Sequence, residues 1–276
     1  MSKLFKAGFF RLKKDVIFWL FIFMTIGLAV FNLFKWKSSN IMLDRVVYEF
    51  IMYIGLFIAI FISIFVGKEH SEGIIRNKII VGHSRISIYL SNLILSIFTV
   101  LLCALIYVAI TLLLGSSFGL GNMKLSLLEH IMRILNTVLV IIVYCSIFNF
   151  IAMMCSEITI STIVNILTFI IFFIIVTSLE YTAFIDKYIL ETYYENGVEY
   201  IISQELNPSY PGEEKVKVAK TILFFIPQGQ ANRIANTIDE RNTIDENLYQ
   251  LPIYSITLII FINLSGGYLF SRKELK

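Results

Sequence analysis

Charged and polar residues are concentrated at positions 67–87, between two long apolar runs. Within this stretch Glu72 and Arg76 are four residues apart with the acid first, which is the favourable order for an ion pair along a helix. Gly73 and Gly82 stand on either side as breaks. The pattern predicts a short amphipathic helix between two glycines, and the chemistry that it offers is charge pairing.

The predicted helix also has an apolar side, because Ile75 and Ile79 fall on one helical face. We expect this side to lie against the inner leaflet of a membrane. A short helix that is anchored at both ends by membrane spans is well placed to receive a push from a cytoplasmic partner. An alternative interpretation is a solvated topology loop whose basic residues contact anionic lipid. The residues alone leave both interpretations open.

Residue patterns typical of catalysis are missing from the sequence. The chain has three histidines, which are His70, His83 and His130. They form no His-Glu-x-x-His pattern, and none lies in a long apolar run, so neither a metalloprotease nor a serine hydrolase is expected in the membrane. The three cysteines form no metal or disulfide pattern. Basic residues are few and flank apolar runs, so nucleic-acid binding is not expected either.

ATP binding is equally unsupported by the sequence. A phosphate-binding loop needs Gly-x-x-x-x-Gly-Lys followed by Ser or Thr. Gly67-Lys68 is the single Gly-Lys pair, but position 62 is isoleucine and Glu69 follows the lysine. We therefore expect no enzyme activity, no metal and no cofactor in this chain.

Six long runs without any charged residue dominate the composition. The chain has 276 residues, is 57% hydrophobic and has a mean hydropathy of +0.79. The runs cover 16–34, 50–66, 86–114, 134–156, 158–179 and 251–271. Each is close to or longer than the roughly 20 residues that span a bilayer. Their lack of charge also removes the buried carboxylates through which proton-driven carriers usually work. We expect a membrane pathway whose energy comes from elsewhere.

The predicted fold is an all-α membrane protein with six transmembrane helices. An interfacial amphipathic helix at 2–14 precedes the first span. Region 1–179 forms the transmembrane domain, region 180–250 a small extracellular and mostly helical subdomain, and region 251–276 the last span with a cytoplasmic tail. The five spans of the first region are predicted at 16–34, 50–66, 86–114, 134–154 and 161–179.

Flanking charges predict the orientation of these spans. With a cytoplasmic N-terminus, the inner segments hold twelve basic residues and the two short outer loops hold five. The positive-inside rule favours this arrangement. Both termini and the stretch 67–87 are then cytoplasmic, and 180–250 lies outside with its twelve acidic and six basic residues.

Several asparagines lie within the apolar runs, among them Asn136, Asn149, Asn165 and Asn263. Amides in lipid seek partners on neighbouring helices. We expect them to form interhelical hydrogen bonds, and contacts to a ligand are the less favoured alternative.

The stretch from Glu69 to Arg85 resembles the region after the second helix of ABC-2-type permeases, the membrane subunits of ATP-binding-cassette exporters. The matching pattern is Glu-x-x-x-Gly-x-x-Arg-Asn-Lys-Ile followed by Gly-x-Ser-Arg. The basic amphipathic start, the six spans, the outer insertion before the last span and the short basic tail are similar to that family in layout. The outer segment is longer than the helical insertion usual there.

The resemblance implies that this stretch is a coupling helix that docks on an ATPase. The residues implied in coupling are Glu69, Glu72, Gly73, Arg76, Asn77, Lys78, Gly82, Ser84 and Arg85. Two permease chains and two ATPase subunits would form one exporter, with ATP and Mg²⁺ on the ATPases. The family's small bacterial members imply a place in the bacterial cytoplasmic membrane and an amphipathic or peptide cargo, such as an antimicrobial or cytolytic peptide.

Two other functions remain as alternatives. The first is a non-transporting receptor or sensor that binds a ligand through its extracellular segment, although no cytoplasmic signalling domain is visible. The second is a secondary carrier or channel, against which the charge-free runs argue.

Overall fold

A computed structural model describes residues 2–37, 41–195, 198–236 and 246–274. Ten α-helices and one β-hairpin are present in these residues. They are α1 (Ser2–Lys14), α2 (Val16–Lys35), α3 (Leu43–Ser71), α4 (Ile74–Ile80), α5 (Arg85–Leu114), α6 (Leu127–Met154), α7 (Ile158–Phe184), β1 (Tyr188–Glu195), β2 (Val198–Leu206), α8 (Glu213–Phe225), α9 (Pro227–Asn236) and α10 (Leu251–Arg272). Six helices are long and apolar enough to cross a membrane, namely α2, α3, α5, α6, α7 and α10. The expectation of a multi-pass, mainly helical membrane protein is confirmed.

Several helices extend beyond the charge-free runs. Helices α3 and α6 begin at Leu43 and Leu127, about two turns before the predicted starts at 50 and 134. The additional turns and the far end of α3 carry carboxylates that are less than a tenth exposed, namely Asp44, Glu49, Glu69 and Glu129. The six charge-free runs themselves contain none of these carboxylates, which are buried just beyond the ends of the runs.

Helix α3 is the centre of the bundle and packs against α2, α5, α6, α7 and α9. Its neighbours approach closely at Gly55, where a Cβ atom would stand 2.7 Å from the Phe169 ring and 2.8 Å from the Tyr144 ring. Three of the four asparagines expected to bond across helices donate to other elements, whereas the buried Asn149 amide makes no hydrogen bond within the described residues. Asn165 Nδ2 donates to Ser63 Oγ at 2.6 Å. Asn136 and Asn263 also donate to other elements, to the Leu248 carbonyl and to Ser146 Oγ.

The bundle has two ends, which we name by their surface elements. The α4 end holds α1, α4, the turn between α6 and α7, and the end of α10. The hairpin end holds β1, β2 and α8. At the hairpin end Asp44 accepts hydrogen bonds from the backbone N–H groups of Lys124, at 2.6 Å, and Leu125, at 3.3 Å. This carboxylate fixes the start of α3 to the segment before α6.

The outer segment differs from the expected mostly helical subdomain in two respects. It contains an antiparallel hairpin in which Tyr188 pairs with Leu206 and Glu195 with Val198. Its helix α9 is not part of a separate unit, because eight of its ten residues are buried against α3, α6 and α7. Gln228 of α9 donates to the Met52 carbonyl of α3 at 3.2 Å.

A prediction concerns the glycine that separates α3 from α4. Gly73 has φ +68°, a conformation that costs a side chain about 1–2 kcal/mol. We expect Gly73→Ala to lower the thermal unfolding midpoint in detergent micelles by a few degrees, on the order of 2–8 °C. The matched control is Gly27→Ala in α2, which is helical and has open space around its Cβ position. It should raise the midpoint slightly or leave it unchanged. An equal loss in both variants would contradict the assigned role of Gly73.

Candidate functional site

Two glycines with positive φ bound α4 and form the elbow between α3 and α5. Gly73 has φ 68° and Gly82 has φ 94°, and α4 occupies the seven residues from Ile74 to Ile80. These observations confirm the expected short helix between two glycine breaks. Helix α5 then begins after Ser84, whose Oγ accepts the Ser87 N–H at 3.2 Å as a helix cap.

The inner side of the elbow contains a buried charge cluster, which we call the Glu69 cluster and define as Glu69, Arg11, Lys78 and Asn92. Glu69 is 1% exposed. Lys78 Nζ donates to its Oε1 at 2.5 Å, and Asn92 Nδ2 donates to its Oε2 at 2.7 Å. Arg11 Nη1 lies 2.7 Å from Oε1 as an ion-pair contact. One carboxylate thereby joins α1, α3, α4 and α5.

Because the cluster is largely buried, each of its charges is stabilised mainly by the opposite charges beside it and little by water. Burial lowers the pKa of the Lys78 ammonium, and the neighbouring Glu69 carboxylate opposes that shift. Arg11 gains a second stabilising contact, because its guanidinium lies 4.2 Å from the centroid of the Phe65 ring. Two cations and one amide thus satisfy a carboxylate that would be very costly to bury alone.

Further polar contacts connect other elements at the α4 end. Lys68, beside Glu69 on α3, forms an ion pair of 2.9 Å with Asp15, the residue that caps α2. Arg85, at the start of α5, donates to the Lys273 carbonyl and, at 3.3 Å, to the Ser271 carbonyl.

Lys273, which follows α10, is held by hydrogen bonds to the end of α6. Lys273 Nζ donates to the carbonyls of Met153, at 3.1 Å, and Cys155, at 3.3 Å. These carbonyls end α6, where intrahelical donors run out. The cation therefore satisfies the end of α6, and burial lowers the pKa of this lysine.

The outer side of the elbow is exposed. We call it the α4 surface and define it as Glu72, Arg76, Asn77, Ile80 and Val81. Ile80 and Val81 are 75% and 76% exposed. The expected ion pair between Glu72 and Arg76 is not formed in this described part of the chain. The reason is that Glu72 follows the end of α3 and the left-handed Gly73 separates it from α4. Both charges are available to a partner.

The nine residues expected in coupling therefore divide into three structural groups. The first group is Glu69, Lys78 and Arg85, whose side chains are buried or half-buried and make the contacts that hold the elbow. The second group is Gly73, Gly82 and Ser84, which set the backbone path at the two ends of α4 and the start of α5. The exposed group is Glu72, Arg76 and Asn77.

Sequence reasoning missed Arg11 and Asn92, although both carry a signal. An amide such as Asn92 within an apolar run indicates a polar partner on another helix. Arg11 lies seven residues after Leu4 and therefore on the same face of α1, and Leu4 is buried in the bundle.

Comparison with known proteins adds no family to this description. No protein-family model matches the chain, and no curated protein matches it. Among the described residues, no three His, Cys, Asp or Glu side chains are grouped so that they could hold a metal ion. The geometry of the elbow and the sequence pattern within it are the features of this chain that indicate a function.

Removing the Glu69 carboxylate tests whether the cluster fixes the elbow. We expect Glu69→Ala to lower the free energy of unfolding by about 3–5 kcal/mol, because two partly buried cations lose the buried carboxylate that they share. Glu72→Ala is the matched control, since it removes an exposed carboxylate three residues away and should change stability by less than about 0.5 kcal/mol. Chemical denaturation in micelles measures both. A similar loss of unfolding free energy in the two variants would contradict the assigned role of Glu69 in fixing the elbow.

Proposed function

We propose that this chain is the membrane-spanning permease subunit of a bacterial ATP-binding-cassette exporter of the ABC-2 type. In the assembled exporter two permease chains would work with two ATPase subunits, which bind ATP and Mg²⁺. The cargo would be an amphipathic molecule or a peptide, for example an antimicrobial or cytolytic peptide. The observation that carries the proposal is the arrangement of α4. The Glu69 cluster holds its inner side in place, and the α4 surface on its outer side is exposed.

This construction suits the transmission of force. The α4 surface offers an acid, a base, an amide and two apolar side chains, the mixture that protein interfaces use. Behind it, Lys78 connects α4 directly to Glu69 on α3 and through it to Asn92 on α5. A partner that displaces α4 would therefore move two membrane-spanning helices, because the contacts leave little slack between them.

The distribution of basic residues supports an orientation in which the α4 end lies on the inner side of the membrane. In the proposed orientation the α4 end faces the cytoplasm, with its twelve basic residues against five in the short outer loops. Helix α1 would lie in the headgroup layer. Lys13 and Lys14 pack over the Phe9 and Phe10 rings, at 4.7 and 4.4 Å from their centroids, an arrangement typical of an interface between apolar and charged surroundings.

Helix α7 offers a surface for the second permease chain or for lipid. An apolar stripe at helical spacing is exposed along it, made of Ile163, Leu167, Ile171 and Ile174. Few residues of this span are enclosed within the chain. Because a single chain leaves this stripe uncovered, association with a second copy or a related subunit fits the proposal.

The coupling proposal is tested with ATP-binding-cassette ATPases of the source organism, each co-purified with this chain and reconstituted in liposomes. We expect the double variant Arg76→Ala, Ile80→Ala to lower peptide-stimulated ATP hydrolysis about ten-fold or more, because interface anchors contribute more than about 1 kcal/mol each. Lys14→Ala serves as control, since Lys14 is an exposed cation at the same end but outside the α4 surface. The proposal is wrong if none of these ATPases binds the chain or if the double variant retains full stimulation.

Orientation is tested by cysteine labelling in intact cells. The background is Cys155→Ser, because Cys103 and Cys145 are buried. A membrane-impermeant maleimide should label Ser209→Cys at the hairpin end and leave Ser71→Cys at the α4 end unlabelled until the cells are permeabilised. Ser71 and Ser209 are both exposed in the structure, so access depends on the side of the membrane. Labelling of Ser71→Cys in intact cells would place the elbow outside and overturn the proposed function.

A further inference from the structure

Basic residues are unevenly distributed within the acidic outer segment. Region 180–250 contains twelve acidic and six basic residues. Four of the six basic side chains line two adjoining clefts at the hairpin end, namely Lys187, Lys217, Lys220 and Arg233. The acidic residues that line these clefts are Asp186 and Glu213. A segment with a net negative charge thus presents a positively charged depression.

The two clefts lie on either side of α8. The first has a volume of about 410 Å³ and lies between α8 and the start of α10. The second has a volume of about 360 Å³ and lies between α8 and the end of α7. Both are lined by Tyr210, Val216 and Lys220, so the Lys220 ammonium stands between them. Each volume falls in the range typical of small-molecule sites.

Aromatic rings accompany the cations. The guanidinium of Arg233 lies 3.8 Å from the centroid of the Phe184 ring, and the ammonium of Lys220 lies 5.5 Å from the same centroid. Tyr254 lines the first cleft and packs edge-on against Phe224. The lining therefore combines positive charge with flat apolar surfaces, which fits an anionic group attached to an apolar body.

A carboxylate of the chain already occupies part of this region. Glu213 pairs with Lys187 at 2.6 Å, and both side chains are exposed, by 75% and 40%. Exposed pairs of this kind are weak, so a ligand carboxylate can replace Glu213 at little cost. Neither Lys217 nor Lys220 has a carboxylate within 4 Å in the described part of the chain. These two ammonium groups are the ones available to a ligand.

We propose that these clefts bind the free carboxylate end of a peptide with an apolar or aromatic last residue. Lys220 and Lys217 meet the carboxylate, and the Tyr210 and Tyr254 rings contact the apolar side chain. The inference is independent of the proposed transport, because the clefts and the α4 surface lie at opposite ends of the bundle. Such a site serves an exporter that recognises its peptide cargo and equally serves a receptor.

Calorimetric titration of the purified full chain in micelles tests the site. The probes are the acetylated tripeptide Leu-Leu-Phe with a free C-terminal carboxylate and the same tripeptide with a C-terminal amide. We expect the acid to bind at least about ten-fold more tightly than the amide, because only the acid offers a charge to the lysines. Lys220→Gln should weaken binding of the acid by a similar factor. Lys215→Gln, on the same helix but outside both clefts, should leave it unchanged.

Three results would overturn the inference. Equal binding of acid and amide would mean that the clefts recognise apolar surface alone. Undiminished binding of the acid by a folded Lys220→Gln variant would place its site elsewhere. Displacement of the acid by phosphatidylglycerol in the micelles, with no displacement by acetate, would assign the clefts to a lipid headgroup. The titration contains no ATPase, so its failure would leave the proposal for the α4 surface standing.

Discussion

The Glu69 carboxylate is the interaction on which the α4 end depends. Donors from α1, α4 and α5 converge on a group that α3 holds at 1% exposure. Buried ion pairs are often no more stabilising than apolar residues of the same volume. The main effect of this cluster is therefore to select one arrangement of the four helices. Its charges and its amide need defined distances and angles, and few other arrangements would meet them. A short helix of seven residues would otherwise have little to fix its position.

The same arrangement is repeated at the hairpin end with different residues. Glu49 accepts Lys35 Nζ at 2.5 Å and Trp36 Nε1 at 2.6 Å, which connects the end of α2 to the start of α3. Arg133 is fully buried in α6 and donates to the Ile234 carbonyl of α9. Between the two charged levels the helices meet through apolar side chains and neutral amides. The bundle thus confines its charges to the two depths at which water or headgroups would be near, as expected for a membrane protein.

Apolar runs and glycines in the sequence were sufficient to predict the six long helices, α1, and the position of α4. The starts of α3 and α6 were not predictable from these runs, because their first turns carry charges whose partners lie far away in sequence. Asp44, for example, bonds the backbone of Lys124. The Glu69 cluster was missed in the same way, since Arg11 is brought to it by folding. The hairpin was overlooked although Asn196-Gly197 separates β1 from β2 in sequence, the dipeptide most typical of a tight hairpin turn.

Helix α3 is the element through which events at the two ends can be related. It has 29 residues and spans about 44 Å at about 1.5 Å per residue. It carries Glu69 near its C-terminal end and, through the Met52 carbonyl, receives a hydrogen bond from Gln228 of α9 about a third of the way from its N-terminal end. A position between two sites does not by itself demonstrate coupling, which requires an element with two packed arrangements. Helix α9 is held to α3 and α7 by its buried amides, since Gln228 donates to the Met52 carbonyl and to Asn232, and Asn232 donates to the Glu180 carboxylate. A movement of α9 would therefore have to replace the donor that Asn232 gives to this charged group.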